Sequence, residues 1–163
     1  MSRSDEILSR RGGTATFINA GLAGVPSSNW RRVAASGALW AMVYNLVWAV
    51  AWFAFMRREW QIAFAAIGTS SEVWIADIWV VWGALTVPMG VAIMAYAASD
   101  GRPAVKTSVR AALATCLLMT FGMAGWGIQE SLSIRVIAAD AAVNLVGMVA
   151  GSLAGAWNLR AAQ

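Results

Sequence analysis

Long apolar runs alternate with short polar breaks along this chain. The first run extends from Val33 to Met56 and meets Arg57 and Arg58. The second, from Val73 to Ala98, meets Ser99-Asp100-Gly101-Arg102-Pro103. The third covers Ser108 to Ile128 and meets Gln129 and Glu130, and the fourth covers Ile134 to Leu159 and meets Arg160. A hydrocarbon core of about 30 Å is crossed by about 20 apolar residues in a helix. The runs are too long for strands and show no alternation with period two. Backbone groups in lipid have no water to bond and must pair within the segment, which makes these runs helices. The pattern predicts an all-α, polytopic membrane protein. A four-transmembrane-helix bundle occupies 33–160, with spans at about 33–56, 73–98, 108–128 and 134–159. A loosely ordered tail occupies 1–32.

Lys and Arg divide unevenly between the two sides of such a bundle. Arg3, Arg10, Arg11, Arg31, Arg32, Arg102, Lys106, Arg110 and Arg160 fall on the side of the N-terminus, and Arg57, Arg58 and Arg135 on the other. The positive-inside rule then makes both termini cytoplasmic. Arg57 and Arg58 run against that rule locally, and they are expected to snorkel to the outer headgroups. The one sizeable loop, 57–72, contains Trp60, Phe64 and Ile67 at helical spacing. This spacing suits a short helix lying at the outer surface. It suits equally an apolar loop packed on the bundle.

Composition agrees with lipid as the solvent. The 163 residues are 60% hydrophobic and 12% charged, against about 25% charged in average soluble domains. A formal charge of +4 raises the question of nucleic acid. The basic residues stand at the ends of apolar runs and form no single patch, so no nucleic-acid partner is expected. Histidine is absent, which removes the usual general base and the common imidazole ligands. A single cysteine, Cys116, allows neither an intrachain disulfide nor a thiolate metal site. Lys106, the one lysine, stands in a loop, which excludes a buried retinal Schiff base. The N-terminal stretch mixes Asp5 and Glu6 with Arg3, Arg10 and Arg11 and lacks a compact apolar core, so it does not read as a signal peptide.

Polar residues inside spans are the first place to look for function. Asp77 stands four residues into the second span, roughly 6 Å below the outer interface, and Asp140 six residues into the fourth, roughly 9 Å below it. Glu130 is at the outer mouth. Asn45 and Asn144 fall near the midplane, with Thr86 and Thr120 at similar depth. Asp140 and Asn144 share one helix face, which Gly147, Gly151 and Gly155 continue inward as helix-packing positions. Two readings follow. The carboxylates line an outward-facing vestibule that closes at the asparagines, or they serve as hydrogen-bond glue and interfacial charge. In the glue reading Asp140 finds a partner in Arg57, Arg58, Arg135 or an asparagine. No carboxylate lies in the cytoplasmic half of any span, so no titratable relay crosses the bilayer.

Ten tryptophans complete the inventory. Trp52, Trp60, Trp74 and Trp126 suit an outer aromatic belt, and Trp30 and Trp157 an inner one. Trp40, Tyr44, Trp48 and Trp52 recur every four residues, and Trp79 and Trp82 lie within the second span. Such a stripe can flank a carotenoid, quinone or lipid tail, but more often it is ordinary packing or a lipid-facing surface. No cofactor is expected, and no metal site. Pro88 inside the second span removes a backbone hydrogen bond and predicts a kink. Gly122, Gly125 and Gly127 in the third span suggest close packing or fraying.

Phe55-Met56-Arg57-Arg58-Glu59-Trp60, Ala65-Ala66-Ile67-Gly68, Gly122-Met123-Ala124-Gly125-Trp126-Gly127, Ile137-Ala138-Ala139-Asp140-Ala141-Ala142 and Gly151-Ser152-Leu153-Ala154-Gly155-Ala156-Trp157 give the chain a family likeness. Over about 33–159 it resembles the small bacterial four-helix membrane proteins of domain-of-unknown-function family seventeen-sixty-one. The resemblance implies architecture and no activity, with Asp140 the one position aligned by role. The expected setting is the bacterial inner membrane, with the lipid bilayer as surroundings. The expected role is a non-enzymatic bundle that assembles as a homo-oligomer or within a larger membrane complex. The alternative is a small oligomeric transporter or channel using Asp77 and Asp140.

Overall fold

The computed structural model describes residues 30–68, 71–100 and 104–160. Within the helix that begins at Ser71, side chains are described from Trp79 onward, so those of Trp74 and Asp77 lie outside the described residues, as does the tail over 1–29. The described elements are all helical. Helix α1 covers Trp30–Ala51 and passes through a π-helical turn, Trp52–Met56, into α2 at Arg57–Ala66. Helices α3 (Ser71–Ser99), α4 (Ala104–Gln129) and α5 (Ile134–Arg160) follow. Four helices are long and apolar enough to cross a membrane, the first of them Trp30–Ala66 with its 37 residues.

The expected stop at Arg57 and Arg58 does not occur. These arginines are exposed and continue the helix, because one charged side of a helix needs only solvent, not a break. The segment expected as a separate surface helix or loop is instead the uninterrupted extension of α1. At about 1.5 Å per residue the whole helix is about 55 Å long, well beyond a bilayer core. Trp60, Ala63 and Phe64 turn inward and are buried.

Consecutive long helices run antiparallel. Helix α5 packs along α1 and α4, and α1 along α3, while α3 and α4 touch each other less. Two apolar cores result. One joins Trp40, Tyr44, Met94, Ala112 and Met148 toward the chain termini, and the other joins Trp52, Met56, Trp60, Phe64 and Val136 near the α4–α5 turn. The core toward the chain termini is tight because small residues face large ones. A Cβ added to Gly151 would stand 2.9 Å from the Trp40 carbonyl oxygen, and one on Gly147 2.9 Å from the Tyr44 ring. On Gly155 it would meet the Ser36 carbonyl oxygen at 2.9 Å. The stripe Gly147, Gly151, Gly155 is therefore occupied by α1 of the same chain. Helix α3 approaches α1 as closely, where a Cβ on Gly37 would lie 2.5 Å from the Val91 backbone.

Helix α3 continues through Pro88, with the Thr86 hydroxyl donating to the Gly83 carbonyl one turn earlier. Helix α4 ends in a Schellman turn. The Leu132 amide donates to Gly127 O at 2.8 Å and the Ser131 amide to Ile128 O at 3.3 Å, with Ser131 at φ 56°. Ser133 then starts α5, its hydroxyl 3.4 Å from the Val136 amide it accepts from.

Candidate functional site: an aromatic cavity ending on Asp140

A cavity of about 440 Å³ opens between the helices on the α4–α5 turn side. That volume is within the range of about 300–1,000 Å³ that holds drug-sized ligands. Six tryptophans line it, Trp48, Trp52, Trp60, Trp79, Trp82 and Trp126. Phe64, Met119, Met123 and Gly122 complete the apolar wall, and Asp140 and Asn144 are the polar exceptions.

The backbone explains how so many rings share one space. Trp48, Trp52, Trp60 and Phe64 are spaced in multiples of four. Each four-residue step in an α-helix overshoots a full turn by about 40°, so sixteen residues drift by about 160°. Trp48 and Phe64 would then face opposite sides. The Trp52–Met56 turn is wider than an α turn and absorbs part of the drift. Trp60 and Phe64 come back over the face of Trp48 and Trp52. The Trp60 ring stacks on Trp126 at 6.4 Å and tilts against Phe64 at 5.2 Å, and Trp52 meets Trp79 edge-on at 6.1 Å.

At the inner end a chain of donors converges on one carboxylate. The Tyr44 hydroxyl and the Trp48 indole N–H both donate to Asn144 Oδ1, the latter at 3.0 Å. Asn144 Nδ2 then donates to Asp140 Oδ2 at 2.8 Å. Asp140 is 7% exposed. No buried side-chain oxygen or nitrogen among the described residues lacks a partner. Asp140 accepts this hydrogen bond at Oδ2 and is one of the residues that line the cavity.

The other polar candidates separate from this site. Asn45 donates to Thr86 Oγ1 and to the Ala41 carbonyl, both at 2.8 Å, tying α1 to α3 away from the cavity. Asn45 and Asn144 thus engage different partners, Thr86 and Tyr44, although the α1 residues involved, Tyr44 and Asn45, are neighbours. Glu130 is exposed in the α4–α5 turn and does not line the cavity. Arg57, Arg58 and Arg135 are exposed, and Asn144 is the partner that Asp140 takes. Of the expected outer belt, Trp52 and Trp60 are 9% and 7% exposed and join Trp126 in the cavity wall. Trp157, at 71%, does face outward. Gly122 and Gly125 are not close-packing positions, since an added Cβ meets nothing within 4 Å at either.

Sequence reasoning missed Met119 and Met123 as wall residues and the indole of Trp48 as a donor. The four-residue spacing of Tyr44 with Trp48, matched by that of Asp140 with Asn144, is the signal that pairs them. Among the described residues no cluster of three or more metal-ligating side chains occurs. No family model, no curated protein and no solved structure matches this chain.

Proposed function

We propose that this chain is a multi-pass inner-membrane protein, both termini cytoplasmic, that binds a small, largely apolar molecule without chemically changing it. The observation that carries this reading is the cavity, whose aromatic wall and pair of convergent polar groups have the makeup of a ligand site. A rigid apolar cavity of this size gains from any apolar occupant that replaces water or lipid ends. With the termini inside, it faces the outer leaflet, and the sparse contact between α3 and α4 offers a lateral entrance. The same site serves as the loading end of a small transporter if copies assemble around it.

Photolabelling in lipid nanodiscs tests this. A small uncharged aryl diazirine is expected to label Trp82, Met119 and Met123. Gly122→Phe fills open space beside these residues and should abolish that labelling, while lipid-facing Leu118 and Phe121 stay labelled. Labels on Leu118 and Phe121 alone, or no change in Gly122→Phe, would refute the site.

Assembly with a second copy or a larger complex is the second reading. The exposed apolar face of α4, with Leu113, Leu117, Leu118 and Phe121, favours it. Crosslinking from cysteines placed on that face tests it, and only lipid adducts would count against it.

A further inference from the structure

We infer that the cavity selects an organic monocation, a protonated or quaternary amine carried on an apolar body, with Asp140 as its counter-charge. The inference rests on the cavity being a ligand site and adds the charge of the ligand.

Three independent features point to a cation. The first is an unbalanced carboxylate. Asp140 is buried at the cavity wall, and among the described residues neither Lys nor Arg pairs with it. A charge placed in a membrane interior is costly and normally finds a partner. Arg57, Arg58 and Arg135, the partners the sequence offered, are exposed instead. The second is the direction of the hydrogen bonds. Tyr44 and Trp48 donate to Asn144, and Asn144 donates to Asp140. This donor chain occupies Oδ2, and the carboxylate has further acceptor capacity at the cavity wall. A ligand that brings a positive centre or an N–H satisfies it, and a ligand that brings another acceptor is repelled.

The third feature is the wall. Indole has the most electron-rich face among the side chains, and cations sit favourably over such faces within about 6 Å of the ring. Six indoles and one phenyl ring surround this space. A wall meant only for neutral hydrocarbon is built as readily from Leu, Ile and Val, which dominate the lipid-facing surface of this same chain. Indoles beside a buried carboxylate combine the two means by which proteins hold an alkylammonium group. Among the described residues the wall holds one acid and no second charge, which fits a ligand of single positive charge. The remaining volume accommodates its apolar body.

An isosteric pair separates charge from shape. Benzyltrimethylammonium and neopentylbenzene differ by a nitrogen cation in place of a carbon. Their binding is measured to the full chain in zwitterionic nanodiscs by equilibrium dialysis, with protein-free nanodiscs as the partition blank. The cation is expected to bind at least about tenfold more tightly than the neutral isostere. Asp140→Asn should erase that preference and keep neopentylbenzene binding. Should Asp140→Asn fail to fold, Trp79→Leu decides, because it removes one indole face and should weaken the cation severalfold more than the hydrocarbon. Equal binding of the two probes, or a preference that survives these substitutions, overturns the cation assignment and leaves the cavity as a neutral-ligand site. Binding of neither probe, with Trp82, Met119 and Met123 also unlabelled by the diazirine, removes both readings.

Discussion

Trp40 and Trp48 are two turns apart on one helix and do opposite work. Trp40 is fully buried, stacked on Tyr44 at 5.2 Å and fastened to Ser152 by its indole N–H at 3.1 Å. Trp48 leaves its ring to a cavity. The difference lies in what faces them. Opposite Trp40 and Tyr44, α5 presents Gly147, Gly151 and Ser152, and the backbones close until the rings are consumed as packing. Around Trp48 the chain presents Met119, Met123, Trp82 and Gly122, and the space between them stays open. An aromatic stripe is thus neither core nor site by itself. The residues that face it decide, since interiors fill to near-crystalline density wherever shapes allow it.

Breaking the closed half should have the largest effect. Gly151→Leu forces a branched side chain against the Trp40 carbonyl and ring, and a loss of about 3 kcal/mol is expected in reversible unfolding in mixed micelles. The same exchange at Gly122, in the open half, should cost almost nothing, and equal losses at the two glycines would erase the distinction between halves. The junction comes next. Asn144→Leu leaves Tyr44, Trp48 and Asp140 without their shared partner, for a loss of about 2 kcal/mol in the same assay. A neutral result would mean that the junction does not hold the two halves in register. The smallest effect has the opposite sign. Ser131 holds a left-handed conformation at the turn beside the cavity, so Ser131→Gly should stabilise the chain by about 1 kcal/mol. A lowered midpoint would show that the Ser131 side chain contributes something the Schellman turn does not.

The sequence made the four helices legible because lipid-length apolar runs leave few alternatives. It marked Asp140, Asn144 and the glycine stripe as one face because spacing of four is rigid within a helix. It did not disclose which helix would take that face, since both α1 and a second copy offer suitable surfaces. Trp52, Trp60 and Trp126 read as an interfacial belt because position near a span end says nothing of the direction in which a ring points. The continuation past Arg57 was hidden for a related reason. Charges end an apolar run without ending a helix. Asp77, prominent in the sequence, has its side chain outside the described residues and stays with the expectation.

The wide turn at Trp52–Met56 has a mechanical consequence. A loop between span and cavity rim would decouple them and absorb an inserted or deleted residue. Here one continuous helix carries both, so axial rotation of α1 carries Trp60 and Phe64 with it. In the regular α-helix after Met56, gain or loss of a single residue before Trp60 shifts the rim by about 100°, the arc of one α-helical residue. The spacing of Trp52 and Trp60 is in effect a gear ratio, set to the nearest tooth.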